Sequence, residues 1–80
     1  MQSINIKKVK KIDALIQQQK TGKPKDFART LNMSVSNLHY LLRLLREELN
    51  APIIYDRQLN TYRYSTAGSI VLDFISNKKP

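Results

Sequence analysis

Few side chains in this sequence could catalyse a reaction or hold a metal. The 80 residues include one histidine, no cysteine and six carboxylates, against 14 lysines and arginines. Only Glu47 and Glu48 are adjacent carboxylates, and neighbouring helical residues point about 100° apart, so this pair cannot converge on one substrate. The sequence also lacks a glycine-rich phosphate loop, a Gly-x-Ser-x-Gly elbow and a His-x-x-x-His pair. We therefore predict a protein that is not an enzyme, with no metal, no other cofactor and no evident small-molecule substrate.

The charged side chains point instead to a polyanionic partner. The formal net charge is +8 and the isoelectric point is near 10.1. On a small domain such an excess favours binding of DNA or RNA and, more weakly, of an anionic membrane surface. Charge kept only for solubility is the alternative, although solubilising charge is usually more mixed in sign.

Nothing in the sequence predicts a membrane span or a secretory leader. No uninterrupted apolar run is longer than three residues, whereas a spanning helix needs about 20. The first residues contain no apolar stretch and no small-residue cleavage site. We expect one small cytoplasmic domain that neither enters a membrane nor forms disulfides.

Apolar spacing in the first part of the chain predicts a helix. The apolar residues recur about every third or fourth position, at Ile6, Val9, Ile12, Leu15 and Ile16. The lysines at 7, 8, 10 and 11 fall off that face. Gly22 is predicted to end the helix, because glycine readily adopts the left-handed conformation.

Two further helices are predicted at short intervals. Pro24 suits a first helical position, since its missing N–H would have no partner there, and Asp26 then meets the positive end of the helix dipole. This helix should stop at Asn32, which tolerates left-handed backbone. Ser34 should cap a third helix, which Pro52 ends. The buried stripe of the third helix is predicted to comprise Leu38, Leu42, Leu45 and Leu49.

After Pro52 the apolar spacing changes to two, which predicts a β-hairpin. Its loop is the polar run 57–60, and its three tyrosines (Tyr55, Tyr62 and Tyr64) are predicted to pack rather than to stack on bases. The β-branched and aromatic content of residues 69–75 favours a strand over a helix. The predicted class is therefore α+β, with a domain over residues 1–65 and an apolar tail over 66–80.

This order of elements is that of a winged helix-turn-helix with a possible extra C-terminal strand. Its turn, LNMS at residues 31–34, supplies an apolar end, a left-handed position, a buried apolar residue and a helix cap. Two helices that are joined at a steep angle by a turn of only three or four residues require these features. An ordinary helix–helix corner uses the same chemistry, but the basic charge and the tyrosine-rich hairpin favour DNA binding.

Two stretches resemble the DeoR-type winged-helix domains of bacterial transcriptional regulators. TGKPKDFARTLNMS (residues 21–34) resembles their second helix and turn, and ELNAPIIYDR (48–57) with YRY (62–64) resembles their wing. The resemblance covers residues 5–65 and is weakest in the first helix. It implies that helix 34–49 enters the major groove of DNA while the wing contacts the backbone or the minor groove.

The chain departs from that family in the recognition helix. Family members usually carry Arg, Lys or Glu in its first two turns, and often a Tyr-Arg pair where this sequence has His39-Tyr40. Here the first basic residue is Arg43. Guanine is the base that arginine reads best, so the departure shifts the expected contacts toward other bases.

The groove-facing positions of this helix carry small and polar side chains. Asn37 can read adenine, Ser36 can reach a base or a phosphate, and Val35 can touch a thymine methyl. Ser34 caps the helix and can also hold a phosphate at the same helix end. Arg43 is expected on the outer face with Ser36 and Asn37.

Two ring-bearing residues of the helix have alternative roles. By resemblance His39 faces the groove and contacts a base or a phosphate, whereas a lone histidine is otherwise a surface residue. Tyr40 donates its hydroxyl to a phosphate or packs on the first helix.

Basic side chains outside that helix are expected to hold the backbone of double-stranded DNA. Arg57 and Arg63 flank the wing tip, where arginine reaches the minor groove or a phosphate, or else only solubilises the wing. Lys25 and the lysines of the first helix would extend the phosphate-contacting surface.

Some apolar residues exceed what three short helices and a hairpin need to bury. They are Leu41, Leu44, Ile70, Leu72 and Phe74. Either the tail packs on the domain or these residues form the seam of a homodimer, which would multiply affinity by engaging two half-sites. The alternative function is a winged-helix protein–protein interaction module that uses these residues and does not bind DNA.

Overall fold

Each of the three helices buries one apolar stripe, and the stripes meet in one core. The computed structural model describes residues 6–71. In chain order the elements are α1 (Ile6–Gln18), α2 (Pro24–Thr30), α3 (Val35–Glu48), β1 (Ile53–Asp56) and β2 (Thr61–Tyr64). α1 packs chiefly against β2, and α2 packs against α3. The described part is thus a small α+β fold of three helices and a two-stranded antiparallel hairpin, as the sequence predicts at that level.

The end of α1 differs from the sequence prediction. The helix stops before Gly22, with Gln19 in the left-handed region at φ 55°. The N–H of Gln19 donates to the carbonyl of Ile16, and that of Lys20 donates to the carbonyl of Leu15, both at 3.0 Å. This pair of bonds is the Schellman motif, which here uses glutamine where glycine is usual.

Gly22 instead shapes the linker into α2. Its φ is +74°, and a Cβ built there would lie 3.0 Å from the Cβ of Asp26. Asp26 in turn accepts a 3.3 Å bond from the N–H of Lys23 at the start of α2. Glycine is therefore required here by backbone conformation and by close approach rather than as a helix end.

The core confirms most of the predicted apolar stripes. Its fully buried large side chains are Val9, Ile12, Ile16, Phe27, Leu38, Leu42 and Leu45. The prediction for Leu49 was wrong, because this residue is 42% exposed. It caps the C-terminus of α3, where the chain has already turned away from the core. Met33 is half-buried rather than fully buried, and packs against the core edge.

The hairpin pairs as the period-two pattern predicts. Ile53 lies opposite Tyr64, and Tyr55 lies opposite Tyr62. The Tyr62 ring is 4% exposed and lies 5.6 Å from the Phe27 ring and 4.9 Å from the Tyr55 ring. Packing of the tyrosines is thereby confirmed. Burial raises the pKa of Tyr62 above its ordinary value.

The predicted C-terminal strand does not form where the structure describes the chain. Residues 69–71 belong to no strand, and 72–75 lie outside the described residues. Ile70 packs on the core edge, and its N–H donates to Asp13 Oδ1 at 3.1 Å. The Tyr64 hydroxyl donates to the same oxygen at 2.6 Å. Burial and this hydrogen bond raise the pKa of Tyr64.

A buried threonine pair joins the α1–α2 linker to β2. Thr61 is 2% exposed, which breaks the alternation expected of its strand, and Thr21 is 3% exposed. Thr21 N–H donates to Thr61 Oγ1 at 3.1 Å, and Tyr62 N–H donates to Thr21 Oγ1 at 2.8 Å. The two hydroxyl oxygens are 3.0 Å apart. Each hydroxyl therefore satisfies a backbone N–H that the core would otherwise leave unpaired.

Replacing Thr21→Val should destabilise the protein by about 1–3 kcal/mol, because it removes the side-chain oxygen that accepts from the buried Tyr62 N–H. Urea unfolding measures this change. The matched control is Thr30→Val, whose exposed hydroxyl donates only to the Asp26 carbonyl at 3.0 Å. It should lie within about 0.5 kcal/mol of wild type. Equal effects of the two substitutions would contradict the role given to the threonine pair.

Candidate nucleic-acid interface

The turn between α2 and α3 takes four residues, 31–34, and both of its ends are fixed by hydrogen bonds. Asn32 lies in the left-handed region at φ 57°, as predicted. Its N–H donates to the carbonyl of Arg29, and the N–H of Met33 donates to that of Ala28, both at 3.0 Å. These two bonds satisfy the last carbonyls of α2 and turn the chain sharply.

Ser34 then starts α3 by capping it. Its side-chain oxygen accepts a 3.1 Å hydrogen bond from the N–H of Asn37, which confirms the predicted cap. Because both ends of the turn are hydrogen-bonded, the direction of α3 relative to α2 is set by local chemistry. The exposed N-terminal turns of α3 are presented at a fixed angle.

The outer face of α3 carries four of the predicted site residues. At about 100° per residue, His39, Arg43, Ser36 and Tyr40 fall within an arc of about 100° opposite the buried leucines. All four are exposed. The Tyr40 side chain is 43% exposed, and its ring centroid lies 6.0 Å from Arg43 Cζ. Tyr40 thus projects into solvent beside a cation, which disfavours the alternative that it packs on α1.

Two predicted residues lie away from the centre of this face. Asn37 is exposed but sits about 120° around the helix from Arg43, so the predicted shared face was wrong for Asn37. Val35 is half-buried and packs against the core, which leaves only part of it for a ligand. The helical period explains the position of Asn37, since the six residues between it and Arg43 do not complete a whole number of turns.

The hairpin is tied to α3 by one side chain. Arg46 Nε donates to the carbonyl of Ile53 at 2.9 Å, from the flank of α3 that also carries His39. This bond engages a β1 carbonyl and places the hairpin beside α3. Sequence reasoning did not identify Arg46, because its partner is a backbone group that no residue pattern reveals.

Asp56 organises the tip of the hairpin. Its Oδ1 accepts from the N–H groups of Gln58 and Leu59 at 2.9 and 3.0 Å, and its Oδ2 pairs with Arg63 Nε at 3.0 Å. These bonds, with the Leu59 amide contributing most, hold the pKa of the Asp56 carboxyl below its ordinary value. Arg63 is thus committed to an ion pair within the hairpin, whereas Arg57 is exposed at the tip.

α2 adds two exposed cations. Lys25 and Arg29 lie four residues apart, so both sit on the face of α2 that is opposite Phe27 and Ala28. Sequence reasoning singled out Lys25 and missed Arg29, although their i, i+4 spacing could have linked them. Together they place positive charge beside the turn that leads into α3.

The carboxylates that could offset this charge are mostly engaged elsewhere. Asp13, Asp26 and Asp56 all accept internal hydrogen bonds. Glu47 continues the outer face of α3 at its C-terminal end, one turn after Arg43. On the outer face of α3 a polyanion would therefore meet the positive charge of Arg43 and, one turn later, repulsion from Glu47.

The structure does not bring the apolar residues predicted to form a dimer seam together in one exposed patch of the described chain. Leu41 is half-buried against the core, as Ile70 is, and Leu44 is half-buried. Leu72 and Phe74 lie outside the described residues. Near the end of α3 a groove of about 340 Å³ is lined by residues that include Leu49, Pro52, Ile70 and Val71.

Neither a metal centre nor a membrane helix is found in the described part of the chain. Within residues 6–71 no group of three histidine or carboxylate side chains is arranged to hold a metal ion. No helix in that range has the length and apolar content to cross a bilayer.

The sequence matches no protein-family model, no curated protein and no solved structure.

Replacing Asp56→Asn should remove part of the pH dependence of stability. Since folding lowers the pKa of Asp56, its ionised form stabilises the protein above the pKa of the unfolded chain, and this contribution disappears as the pH falls through the folded pKa. The urea midpoint of wild type should therefore exceed that of the variant at pH 6 and converge on it as the pH falls through the folded pKa of Asp56. Glu47→Gln, which removes an exposed carboxylate, is the control and should follow wild type. A constant gap across this range would contradict the assignment.

Proposed function

We propose that this chain binds double-stranded DNA as a winged helix-turn-helix domain of the DeoR type and acts as a small bacterial transcriptional regulator. In this proposal α3 lies in the major groove, and the hairpin is the wing that contacts the backbone or the minor groove. The supporting observation is the exposed face of α3, which a hydrogen-bonded turn presents beside a basic α2 and a braced hairpin.

The composition of that face favours a ligand over a bare surface. An ordinary helix–helix corner needs the left-handed Asn32 and the capping Ser34, but it gains nothing from an exposed tyrosine beside an arginine. Tyrosine and arginine together supply a hydroxyl donor, a flat apolar surface and a forked cation. Phosphates and base edges present acceptors for these groups.

Rigidity of the two contacting elements supports the same function. Arg46 fastens β1 to α3, and Asp56 fixes the hairpin tip that carries Arg57. Elements held in their bound arrangement lose little conformational entropy when they associate with a partner. The helix and the wing would therefore engage DNA as one unit.

The proposal includes a homodimer. A domain of this size offers few contacts, and a two-fold pair would read two half-sites about 34 Å apart. Leu44 is half-buried and Leu49 is 42% exposed at the C-terminal end of α3, which leaves apolar surface for a second copy. The competing function, a protein–protein interaction module, is favoured by the groove beside Leu49.

Titration of a duplex at about 50 and 200 mM salt tests DNA binding. With contacts from Lys25, Arg29, Arg57 and the N-terminus of α3, each chain would neutralise about four phosphates. The log–log salt slope should then lie between roughly −3 and −4 per chain bound. Saturation should require two chains per duplex. Absence of binding at about 50 mM would contradict the proposal and favour the protein module.

Two arginines provide matched variants for the same titration. Arg43 and Arg57 are both exposed, and each substitution by alanine removes one charge. Arg57→Ala should weaken binding to all DNA sequences alike and reduce the magnitude of the log–log salt slope by about 1. Arg43→Ala should change the preference at one base pair by about 1–3 kcal/mol. Identical behaviour of the two across sequences would contradict base reading by α3.

A further inference from the structure

The first turns of α1 carry a dense group of lysines. Lys7, Lys10 and Lys11 are exposed and face away from the core stripe of the same helix. Helical geometry places them within an arc of about 100° and about 6 Å along the axis. One DNA strand carries a phosphate about every 3.4 Å of the duplex axis, so three flexible ammonium groups on α1 can reach neighbouring phosphates.

These lysines are placed where helix physics disfavours them. The N-terminus of a helix is the positive end of its dipole, yet the first turn of α1 contains no acidic residue. The only carboxylate of α1, Asp13, accepts from Tyr64, Gln17 and the Ile70 N–H. Lysines at the positive end of a helix dipole are locally unfavourable, and residues that are locally unfavourable are characteristic of functional surfaces.

The lysine face is separate from the face of α3. α1 buries Val9, Ile12 and Ile16 in the core and packs chiefly against β2, whereas α3 packs against α2. Each outer face points away from the shared core. We expect a duplex lying along α3 to leave the lysine face available to another segment.

We propose that the α1 lysine face is a second, sequence-independent site for the phosphate backbone of duplex DNA, so that one chain can hold two DNA segments. This inference rests on the proposed function of α3. The lysine-rich α1 would then join a second DNA segment to the one that α3 contacts, and would not take part in recognising an operator sequence. Charge complementarity and the absence of base-reading groups among three lysines favour a backbone ligand.

The test is a capture experiment with the full chain. One duplex is immobilised, protein is bound to it, and retention of a second, fluorescent duplex of unrelated sequence is measured. Wild type should retain the second duplex. Lys7→Gln with Lys11→Gln should lower retention roughly tenfold while binding to the immobilised duplex changes less than about threefold. The thermal midpoint should not fall, because the lysines occupy the positive end of the helix dipole.

A charge-matched control uses two exposed cations elsewhere, Lys20→Gln with Lys23→Gln, and should retain the second duplex more strongly than the α1 variant. Failure of wild type to bind the immobilised duplex would overturn the proposed function. Binding of the first duplex without retention of the second would overturn only this inference. Equal retention by both double variants would also overturn it, since bridging would then come from general charge or from a dimer.

Discussion

The contact between Thr21 and Thr61 fixes where the hairpin stands. These residues are 40 positions apart in the chain, yet each hydroxyl accepts a hydrogen bond from a backbone N–H at the other's segment. Both are buried, so leaving either bond unmade would cost more than the bond itself contributes. The linker after α1 and the start of β2 are therefore held together.

The position of the hairpin carries through to the candidate interface. β1 is paired with β2 and is bonded to α3 by Arg46, so one connected network sets the positions of the hairpin and of the outer face of α3. Asp56 extends the network to the hairpin tip. The exposed cations of the candidate interface are therefore held on hydrogen-bonded elements, although α3 itself contains few of them.

Signals that depend on neighbours in the chain were readable from the sequence. Apart from Leu49, the apolar stripes lie where they were predicted. The same holds for Pro24, the left-handed Asn32, the Ser34 cap and the four-residue hairpin loop. Features that depend on distant partners were not readable. The burial of Thr61 depends on Thr21, and the roles of Arg46 and Arg63 depend on a carbonyl and a carboxylate in the hairpin. At the candidate site, the helical period accounts for the exposed positions of Ser36, His39, Tyr40 and Arg43. Asn37 lies off this face because six residues, its spacing from Arg43, do not complete a whole number of turns.

In the proposed function the outer face of α3 and the hairpin tip contact duplex DNA together. Amide chemical shifts of the labelled protein, followed as a duplex is added, test this directly. We expect the largest changes at residues 36–43 and 57–60. Changes confined to the groove formed by residues 49–52 and 66–71, with α3 unaffected, would contradict it.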